Sequence, residues 1–357
     1  MMAIFTDIFE DVTKYGKKIP TSEYLESGKY PIIDQGQNDI AGYTNEEQGL
    51  FTDVPVVIFG DHTRAVKFVD TPFFLGADGV KVLKSKINDV NYKYLYYAVS
   101  AVRIPNTGYN RHFKWLKEAD IPIPSTEQQL EIVKALDEVA NLIALHNDQL
   151  TKLDELVKAR FVEMFGDPKC NKINLVKIGE IGALTSGGTP SRTKPEYFEG
   201  EIRWYSAGEL NSLYLSDSVE HISEAALQQS SAKLFNKGTL MIGMYDTAAF
   251  KMGILTEDSS SNQACANLNP KKGYNIVWLY YLFDIMKPIF LHERQGVRQK
   301  NLSLSKIKEF EVSVAPFELQ NQFAAFVEQV DKSKFAVQQS LDKLETLKKS
   351  LMQKYFG

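Results

Sequence analysis

The sequence predicts an α+β protein in which two strand-rich, mixed α/β globules are joined by two long helices. We expect the helices to pack as an antiparallel coiled coil and the halves to show pseudo-twofold symmetry. Three observations predict this fold class. A long helical stretch occurs twice, its apolar residues recur at heptad spacing, and each copy follows a segment of short strand signals separated by turn signals.

The repeat indicates an internal duplication. Residues 126–166 and 317–357 align without a gap at one offset, 191 (318 − 127). A gapless repeat of this length is typical of a duplicated structural unit. Identical residues lie at Glu127, Gln129, Val139, Leu150, Lys152, Leu153, Leu156, Lys158, Phe165 and Gly166, and again at Glu318, Gln320, Val330, Leu341, Lys343, Leu344, Leu347, Lys349, Phe356 and Gly357.

Each copy of the repeat predicts one long helix. Ser125 and Thr126 can cap the first helix, and Gly166-Asp167-Pro168 can end it. A dimerisation helix or a core helix would explain either copy alone, but two copies in one chain favour pairing within the chain. Apolar residues of a coiled-coil seam fall seven apart at Leu136, Ile143, Leu150 and Val157, and at Val330, Val337, Leu344 and Leu351.

The bulk composition is that of a soluble protein of two or three domains. The chain has 357 residues, of which 44% are hydrophobic and 24% charged. It has neither a bilayer-length apolar run nor a signal-peptide pattern, and Cys170 and Cys265 are too few for a disulfide framework or a cysteine zinc site. We therefore expect a cytoplasmic protein with no membrane contact. The net charge of −4 argues against a non-specific nucleic-acid binder, but cations can still cluster on one face.

The chain divides into four predicted segments. Residues 1–124 form the first globule, with strand signals in YPIIDQG, VPVVIFG, AVKFVD and GVKVLKS, and residues 125–166 form the first helix. Residues 167–315 repeat this plan with EIRWYSAGEL, KGTLMIGMY and KMGILTE, and residues 316–357 form the second helix. The connectors IPIP and VSVAP align at the same offset of 191 (312 − 121).

This geometry suits a divided target. A helix of about 38 residues is about 57 Å long. Two similar globules on an antiparallel helix pair would present two related faces. Half-sites on duplex DNA recur about one helical turn, or roughly 34 Å, apart, so the helix pair could act as a ruler between them.

Known catalytic motifs are missing from the sequence. It has no phosphate-binding loop, no zinc motif, no nucleophile elbow and no amino-methyltransferase motif. Asp61-His62 could belong to a hydrolase, but no partner nucleophile lies at a recognisable position. We therefore expect a non-catalytic chain that binds no cofactor or metal.

Two polar loops at matching positions are the best candidates for DNA contacts. Arg and Lys pair with guanine and Asn and Gln with adenine in the major groove, whereas Lys, Ser, Thr and main-chain N–H groups hold phosphates. A solvated charged loop is the alternative for either loop alone. The first loop offers Arg103, Asn106, Tyr109, Asn110, Arg111, His112 and Lys114, and the second offers Arg294, Gln295, Arg298, Gln299, Lys300 and Asn301.

Two turns extend the candidate set. TSGGTPSR has small residues that allow close backbone approach and hydroxyls that can meet phosphate, although a plain hairpin turn explains it equally well. The turn Gly60-Asp61-His62-Thr63-Arg64 is similar. The remaining DNA-binding candidates are His62, Thr63 and Arg64, then Ser186, Gly187, Gly188, Thr189, Ser191 and Arg192, and finally Gln35, Tyr205 and Lys251 from the strand-like segments.

The motifs together resemble the specificity (S) subunits of type I restriction–modification systems over essentially the whole chain. TSGGTPSR, EIRWYSAGEL and SNQACANLNP look like the target-recognition domain of that family. YPIIDQGQNDIAGYTN, VVIFGDHTR and FFLGADGVKVL are similar to another version of it. IPIPSTEQQLEI and the helices that end in Phe-Gly look like the central and distal repeats of the family.

The resemblance implies separate roles for the globules, the long helices and the partner subunits. Each globule would be a target-recognition domain that reads one half of a split DNA sequence, and the repeat helices would set the unread spacer. The helices would also dock two modification subunits, which bind S-adenosylmethionine and methylate adenine. Restriction subunits that use ATP and Mg²⁺ would join this core, and the chain itself would be non-catalytic.

Two other classes of function stay open at this point. A coiled-coil scaffold whose globules bind protein or glycan would have no DNA affinity and no methyltransferase partner. A self-sufficient DNA enzyme would act without partners, and the missing catalytic motifs count against it.

Overall fold

The chain packs as two compact units in a computed structural model that describes residues 2–76, 78–108, 110–170, 173–294 and 301–357. The first unit comprises Met1–Asn147 and Gln339–Gly357, and the second comprises Asp148–Gln338. Among the described residues, none of the helices combines the length and the apolar character needed to cross a membrane.

The first unit is built from short strands with helices on one side. Its helices are α1 Phe5–Ile8, α2 Tyr92–Ala101 and α3 Phe113–Lys117, followed by the start of α4 Thr126–Phe165. Its strands are β1 Met2–Ile4, β2 Phe9–Asp11, β3 Tyr30–Ile33, β4 Gly42–Thr44, β5 Val56–Gly60, β6 Val66–Val69, β7 Phe74–Leu75, β8 Val80–Ser85 and β9 Asp120–Pro122.

A four-stranded sheet in the order β2-β8-β5-β6 forms the centre of this unit, beside a three-stranded sheet in the order β4-β3-β7 and the pair β1-β9. Every residue of β5 is buried, because both faces of the strand are covered. Val57 and Phe59 face a core that includes Leu95 of α2. Val56 and Ile58 face a second core that continues into β7 and β8.

The second unit repeats this plan with additional elements. Its helices are α5 Ile178–Ile181, α6 Glu224–Gln229, α7 Ile276–His292 and α8 Leu304–Glu309, followed by the start of α9 Phe317–Phe356. Its strands are β10 Leu175–Lys177, β11 Gly182–Ser186, β12 Ile202–Tyr205, β13 Tyr214–Leu215, β14 Glu220–Ile222, β15 Leu234–Phe235, β16 Leu240–Gly243, β17 Met252–Leu255, β18 Ser259–Ser261, β19 Cys265–Pro270 and β20 Glu311–Ser313.

Sheet pairing shows that the two units share one topology. The order β11-β19-β16-β17-β13 matches β2-β8-β5-β6 with β13 added, and β10-β20 matches β1-β9. In the smaller sheet, β3 pairs antiparallel with β4 and parallel with β7, and β12 pairs antiparallel with β14 and parallel with β18. The duplication therefore includes the globules, although their sequences differ much more than the helices do.

The long helices confirm the repeat. Both are 40 residues long, and α9 begins 191 residues after α4 (317 − 126). In the first unit the end of α9 packs on the core that holds the start of α4, and in the second unit Val157 and Phe161 near the end of α4 pack with Phe323 and Val327 near the start of α9. The helices are therefore antiparallel, as predicted.

Buried seam residues explain why these helices pair. Leu136, Val157, Val330 and Val337 from the predicted heptad positions are all buried. Lys334 Nζ also lies 2.5 Å from Asp154 Oδ1, across the helix pair in the second unit. The predicted fold class of two mixed α/β globules and two packed long helices is thus confirmed.

Gly166 ends α4 in the way the sequence predicts. Its φ of 73° lies in the left-handed region that favours glycine, and its N–H donates to Val162 O at 2.8 Å.

The boundary between the two compact units crosses both long helices near their middles, whereas the four predicted segments keep each helix whole. Those segment boundaries stay a prediction of the sequence.

Candidate nucleic-acid interface

The described parts of the loops predicted to contact DNA connect to one edge of the central sheet in each unit. In the first unit, Gly60 at the end of β5 pairs with Val80 at the start of β8. In the second, Gly243 and Ser186 end β16 and β11 beside the start of β19. We call this side of each sheet the loop edge. Strands end there together, so the loops that follow lie close to one another.

The turn after the central strand is closed by an equivalent pair of main-chain hydrogen bonds in both units, around residues 61–64 in the first and residues 244–250 in the second. Gly60 N–H donates to Ala65 O, and Arg64 N–H donates back to Gly60 O, both at 2.8 Å. Gly243 N–H likewise donates to Lys251 O, and Phe250 N–H donates to Gly243 O, again at 2.8 Å. Arg64 and Phe250 both have positive φ, 63° and 54°. Turns closed in an equivalent way thus present different side chains in the two units.

A second loop is tied to this turn in both units. His112 N–H donates to Asp61 O at 2.7 Å, and Leu302 N–H donates to Met244 O at 2.8 Å. Each donor lies at the end of a loop predicted to contact DNA, just before α3 or α8. The duplication therefore brings the end of each predicted loop, at His112 and at Leu302, to the loop edge.

The buried side chain of His112 supports the contact between the turn after β5 and the loop before α3. It is 1% exposed, and its Nδ1 lies 3.0 Å from Asp61 O. A carbonyl oxygen can only accept, so Nδ1 carries the ring proton. Asp61 is also buried, and its Oδ1 accepts from Phe113 N–H at 2.8 Å, at the start of α3. The Asp61-His62 pair considered for a hydrolase thus has its carboxylate engaged in holding a helix.

Gln35 links three loops of the first unit. Its Nε2 donates to Asp78 O at 2.9 Å, and its Oε1 accepts from His62 N–H at 3.2 Å. Its main-chain oxygen accepts from the hydroxyl of Thr63. The side-chain amide is therefore used within the protein, and Gln35 positions the loop edge.

Of the arginines predicted to contact DNA in the first unit, Arg64 and Arg111 lie at the loop edge, whereas Arg103 lies against α9. Arg64 donates from Nη1 to Ile104 O at 3.4 Å, which joins the turn to the neighbouring loop. Arg103 points away from the loop edge and donates from Nη2 to Gln353 Oε1 on α9 at 3.3 Å. Arg111 is exposed near Asp78, whose carboxyl pKa is lowered first by its hydrogen bond to Lys18 and further by the charge of Arg111.

The other exposed side chains of this loop have local partners. Asn106 Oδ1 accepts from Gly108 N–H at 3.2 Å, and Asn110 Nδ2 donates to Thr107 O at 2.7 Å. Lys114 Nζ lies 4.1 Å from the centre of the Trp115 ring. Both amides retain a polar atom that these contacts do not use, so they can still contact a base or a phosphate.

The glycines of TSGGTPSR serve packing within the domain. Gly187 N–H donates to Cys265 O at 3.1 Å, and Gly188 N–H donates to Ser261 O at 2.8 Å. A Cβ on Gly188 would overlap the carbonyl of Ser231. The close backbone approach that the sequence predicts is therefore to the chain's own backbone, and neither N–H is available to a phosphate.

The hydroxyls and the arginine of this loop lie nearer the surface. Ser186 O accepts from Lys233 Nζ at 3.0 Å, Thr189 Oγ1 donates to the side-chain oxygen of Gln263, and Ser191 Oγ lies 2.8 Å from Thr193 Oγ1. Arg192 makes a two-pronged ion pair with Glu220, with Nη2 2.7 Å from Oε2.

Aromatic rings fix the plane of that arginine. The Arg192 guanidinium carbon lies 4.2 Å from the centre of the Phe198 ring and 5.4 Å from that of Trp204. The ion pair also holds the pKa of the Glu220 carboxyl below its usual range. Arg192 is thus exposed but already partnered with an acid.

The remaining candidates of the second unit have different surroundings. Tyr205 is 1% exposed and lies in a core cluster, where burial raises the pKa of its phenol. Lys251 Nζ donates to Gly208 O at 3.3 Å, and Arg294 Nη1 donates to Asp246 O at 3.4 Å. Asn301 Oδ1 accepts from Asp246 N–H at 3.1 Å. The two described ends of the second loop thus contact the turn after β16. Tyr109, Gln295, Arg298, Gln299 and Lys300 lie outside the described residues.

Sequence reasoning missed the exposed part of the turn after β16. Tyr245, 41% exposed, and its neighbours Asp246 and Thr247 occupy the place that the turn at residues 61–64 occupies in the first unit. The signal was present, because VVIFG and LMIG are both apolar runs that end in glycine. Lys233, which donates to Ser186 O, was also missed.

Comparisons with known proteins agree with this architecture. The family model described as "Type I restriction modification DNA specificity domain" matches residues 5–155 and 171–348. The specificity subunit of the type I restriction enzyme EcoR124I/EcoR124II of Escherichia coli is 25% identical over 349 residues, which cover 90% of this chain and 84% of that protein.

Solved structures show the same fold. The crystal structure of a type I restriction–modification S subunit from M. genitalium matches with a TM-score of 0.57 and 18% identity, covering 100% of this chain and 96% of that one. A chain from a structural study of complex assembly and conformational transition in a type I system matches with a TM-score of 0.59 and 14% identity, covering 100% of this chain and 97% of that one. Because the family model matches most of the sequence in two successive copies, this chain belongs to the type I restriction–modification DNA specificity domain family.

Proposed function

We propose that each loop edge reads one half of a split sequence in duplex DNA and that the two long helices set the unread spacer between the halves. The observation that carries this proposal is the repeated closure of the turn at the loop edge. The hydrogen bonds of Gly60 with Ala65 and of Gly243 with Lys251 close the turn in an equivalent way, whereas the residues that they enclose differ in number and kind. Two turns that are closed in an equivalent way but carry different side chains suit two half-sites of different sequence.

The proposed contacts divide by exposure. Arg111, Asn106, Asn110 and Lys114 in the first unit carry polar groups at the surface of the loop edge, and such groups read bases or hold phosphates. In the second unit the exposed groups are Ser191 and Arg192 with the polar residues after β16. His112, Tyr205, Gly187 and Gly188 are buried and position these groups. Tyr109, Gln295, Arg298, Gln299 and Lys300, which lie outside the described residues, keep the roles that the sequence predicts.

The helix pair supports the proposed ruler. Each helix has 40 residues and so is about 60 Å long at about 1.5 Å per residue, and each contributes to both compact units. A continuous helix resists compression, so its length can define a distance along DNA.

The proposed partners supply the chemistry. Two modification subunits would bind S-adenosylmethionine and methylate adenine in each half-site, and restriction subunits would use ATP and Mg²⁺. This chain would bind no cofactor and catalyse no step, and it would work in the cytoplasm, where its DNA target lies.

Methylation mapping tests the proposal. Adenine methylation is compared between cells that contain the chain with its cognate methyltransferase and cells that contain the methyltransferase alone. We expect a split motif that is methylated only when the chain is present, and the motif gives both half-sites and the spacer. Identical methylation in both strains, with the methyltransferase expressed and active, would contradict the proposal.

A further inference from the structure

Two buried glutamines join the globules to the long helices. Gln129 in α4 and Gln320 in α9 occupy equivalent positions of the repeat and are 3% and 0% exposed. Glutamine is uncommon at such depth, because a buried amide that lacks partners is costly. Full burial in both copies indicates that the amides have specific partners.

The partners are the same in both copies. Gln129 Nε2 donates to Pro124 O at 3.0 Å, and its Oε1 accepts from Asn91 N–H at 3.0 Å. Gln320 Nε2 donates to Ala315 O at 2.7 Å, and its Oε1 accepts from Asn275 N–H at 2.8 Å. One amide orientation satisfies both contacts, because a carbonyl can only accept and an N–H can only donate.

Each amide thus bridges two elements that meet at the long helix. Pro124 and Ala315 lie in the connectors that precede α4 and α9. Asn91 and Asn275 are the residues before α2 and α7, and their side chains cap those helices by accepting main-chain N–H groups. The glutamine therefore ties the start of the globule's main helix to the start of the long helix.

The first globule has a further contact along the same helices. Lys93 Nζ and Tyr97 OH of α2 donate to the carboxylate of Asp137 on α4, at 2.7 and 2.8 Å. With the glutamine this gives two attachment points, which resist rotation of α2 about α4. Leu95 of α2 packs in the same core as Val57 and Phe59 of β5, the strand that ends at the loop edge.

We propose that Gln129 and Gln320 are positioning residues for spacer selectivity. By fixing each globule's helix to its long helix, they transmit the length of the helix pair to the loop edges, so that only one spacing of the half-sites fits both. This inference rests on the proposed function. A helix pair can set a distance only if each globule is held rigidly on it, and the two amides provide that attachment.

The test separates spacing from base preference. Gln129→Met and Gln320→Met fill a similar volume but lose the donor and the strong acceptor. Each variant, in complex with its methyltransferase, is assayed for methylation rate on two DNA sets. One set varies the spacer by one base pair around the native length, and the other keeps the native spacer and changes single bases in the half-sites.

We expect the preference for the native spacer to fall by about tenfold in each variant, equivalent to about 1.4 kcal/mol. Base preferences should be unchanged. Gln129→Glu and Gln320→Glu keep the side-chain shape, and a protonated carboxyl can still accept from Asn91 or Asn275 and donate to the connector carbonyl. They should therefore relax the spacer preference less than the Met variants do, and they remain informative if the Met variants fold poorly.

Core variants provide the matched control. Val133→Ala and Val327→Ala remove buried methyl groups from the same two helices and leave both bridges in place. They should lower stability without relaxing the spacer preference.

Two results would overturn the inference but leave the proposed function standing. One is an unchanged spacer preference in folded Gln variants, and the other is an equal loss of methylation rate at all spacings. Methylation by the native complex that showed no split motif would overturn the proposed function itself.

Discussion

Arg103 donates from Nη2 to Gln353 Oε1 at 3.3 Å, although the two residues are 250 positions apart in the chain. The contact joins the loop after α2 to the last turns of α9. Arg111, at the other end of the same loop, is exposed beside Asp78 at the loop edge. One polar loop therefore faces the helices at its start and the candidate DNA surface at its end.

This difference makes the two arginines a matched pair. Arg111→Ala should lower discrimination at one base position in one half-site by about 1–3 kcal/mol if Arg111 contacts a base. Arg103→Ala should leave base preference unchanged. Competition binding and methylation against single-base variants of the site would measure both effects. A uniform loss on all sequences for Arg111→Ala would mark a phosphate contact, and relaxed specificity for Arg103→Ala would contradict the assigned surroundings.

Insertions at the middle of the long helices should lengthen the unread spacer. The boundary of the compact units crosses α4 after Asn147 and α9 after Gln338, and these positions differ by the repeat offset of 191 (338 − 147). Seven residues inserted at both positions preserve the heptad seam and add about 10 Å, near three base pairs at about 3.4 Å each.

Methylation of a spacer library would measure this effect. A matched control inserts seven residues in α4 alone, which should disrupt the seam and lower stability because α9 no longer keeps register. A functional double insertion with an unchanged spacer would show that the helices do not set the distance.

Release of Arg192 from its acid partner should strengthen non-specific DNA binding. Glu220 engages both arms of the Arg192 guanidinium, so that charge is offset at the surface. Glu220→Gln should raise DNA affinity and increase the magnitude of the salt slope by about one if the freed guanidinium meets a phosphate. Binding is measured as a function of salt concentration.

Glu309→Gln is the charge-matched control, because Glu309 pairs with Lys177 at 2.5 Å beside the strand pair β10-β20. It changes the net charge equally but frees a lysine elsewhere. Equal effects of the two variants would mean that overall charge, rather than Arg192, governs binding.

Cys265 at the start of β19 should report on the integrity of the second loop edge. Burial raises the pKa of its thiol from 9.0 to about 12, whereas Cys170 is exposed. At pH 8 a thiol reagent should modify Cys170 and leave Cys265 intact until the protein is unfolded, and intact mass would count the modifications. Rapid labelling of Cys265 in the native protein would contradict its burial.

The raised pKa also predicts a pH dependence. Below pH 9 the thiol is protonated in the folded and the unfolded chain, so its contribution to stability is complete. Between pH 9 and 12 the unfolded chain ionises first, and the contribution is lost as the pH rises. Cys265→Ala should remove this part of the alkaline loss of stability, as measured by denaturant unfolding at a series of pH values.

The sequence by itself determined the duplicated frame. Identical residues at one offset predicted α4 and α9, and the heptad spacing predicted that they pair, because an apolar stripe on a long helix must be buried against another. The strand signals located the central strand β5, since a short apolar run flanked by turn residues is stable where both faces are covered. Local chemistry was sufficient for each of these predictions.

Only the tertiary structure decided what the polar residues do. Gln129, His112 and Arg111 all looked like polar residues of a loop or a helix surface. Packing buries Gln129 as a bridge between two helices and His112 as a support for the turn after β5. It leaves Arg111 exposed at the loop edge. The reason is that a polar group's role depends on partners distant in the chain. Asn91 became the partner of Gln129, and Asp61 the partner of His112, only when the chain had folded.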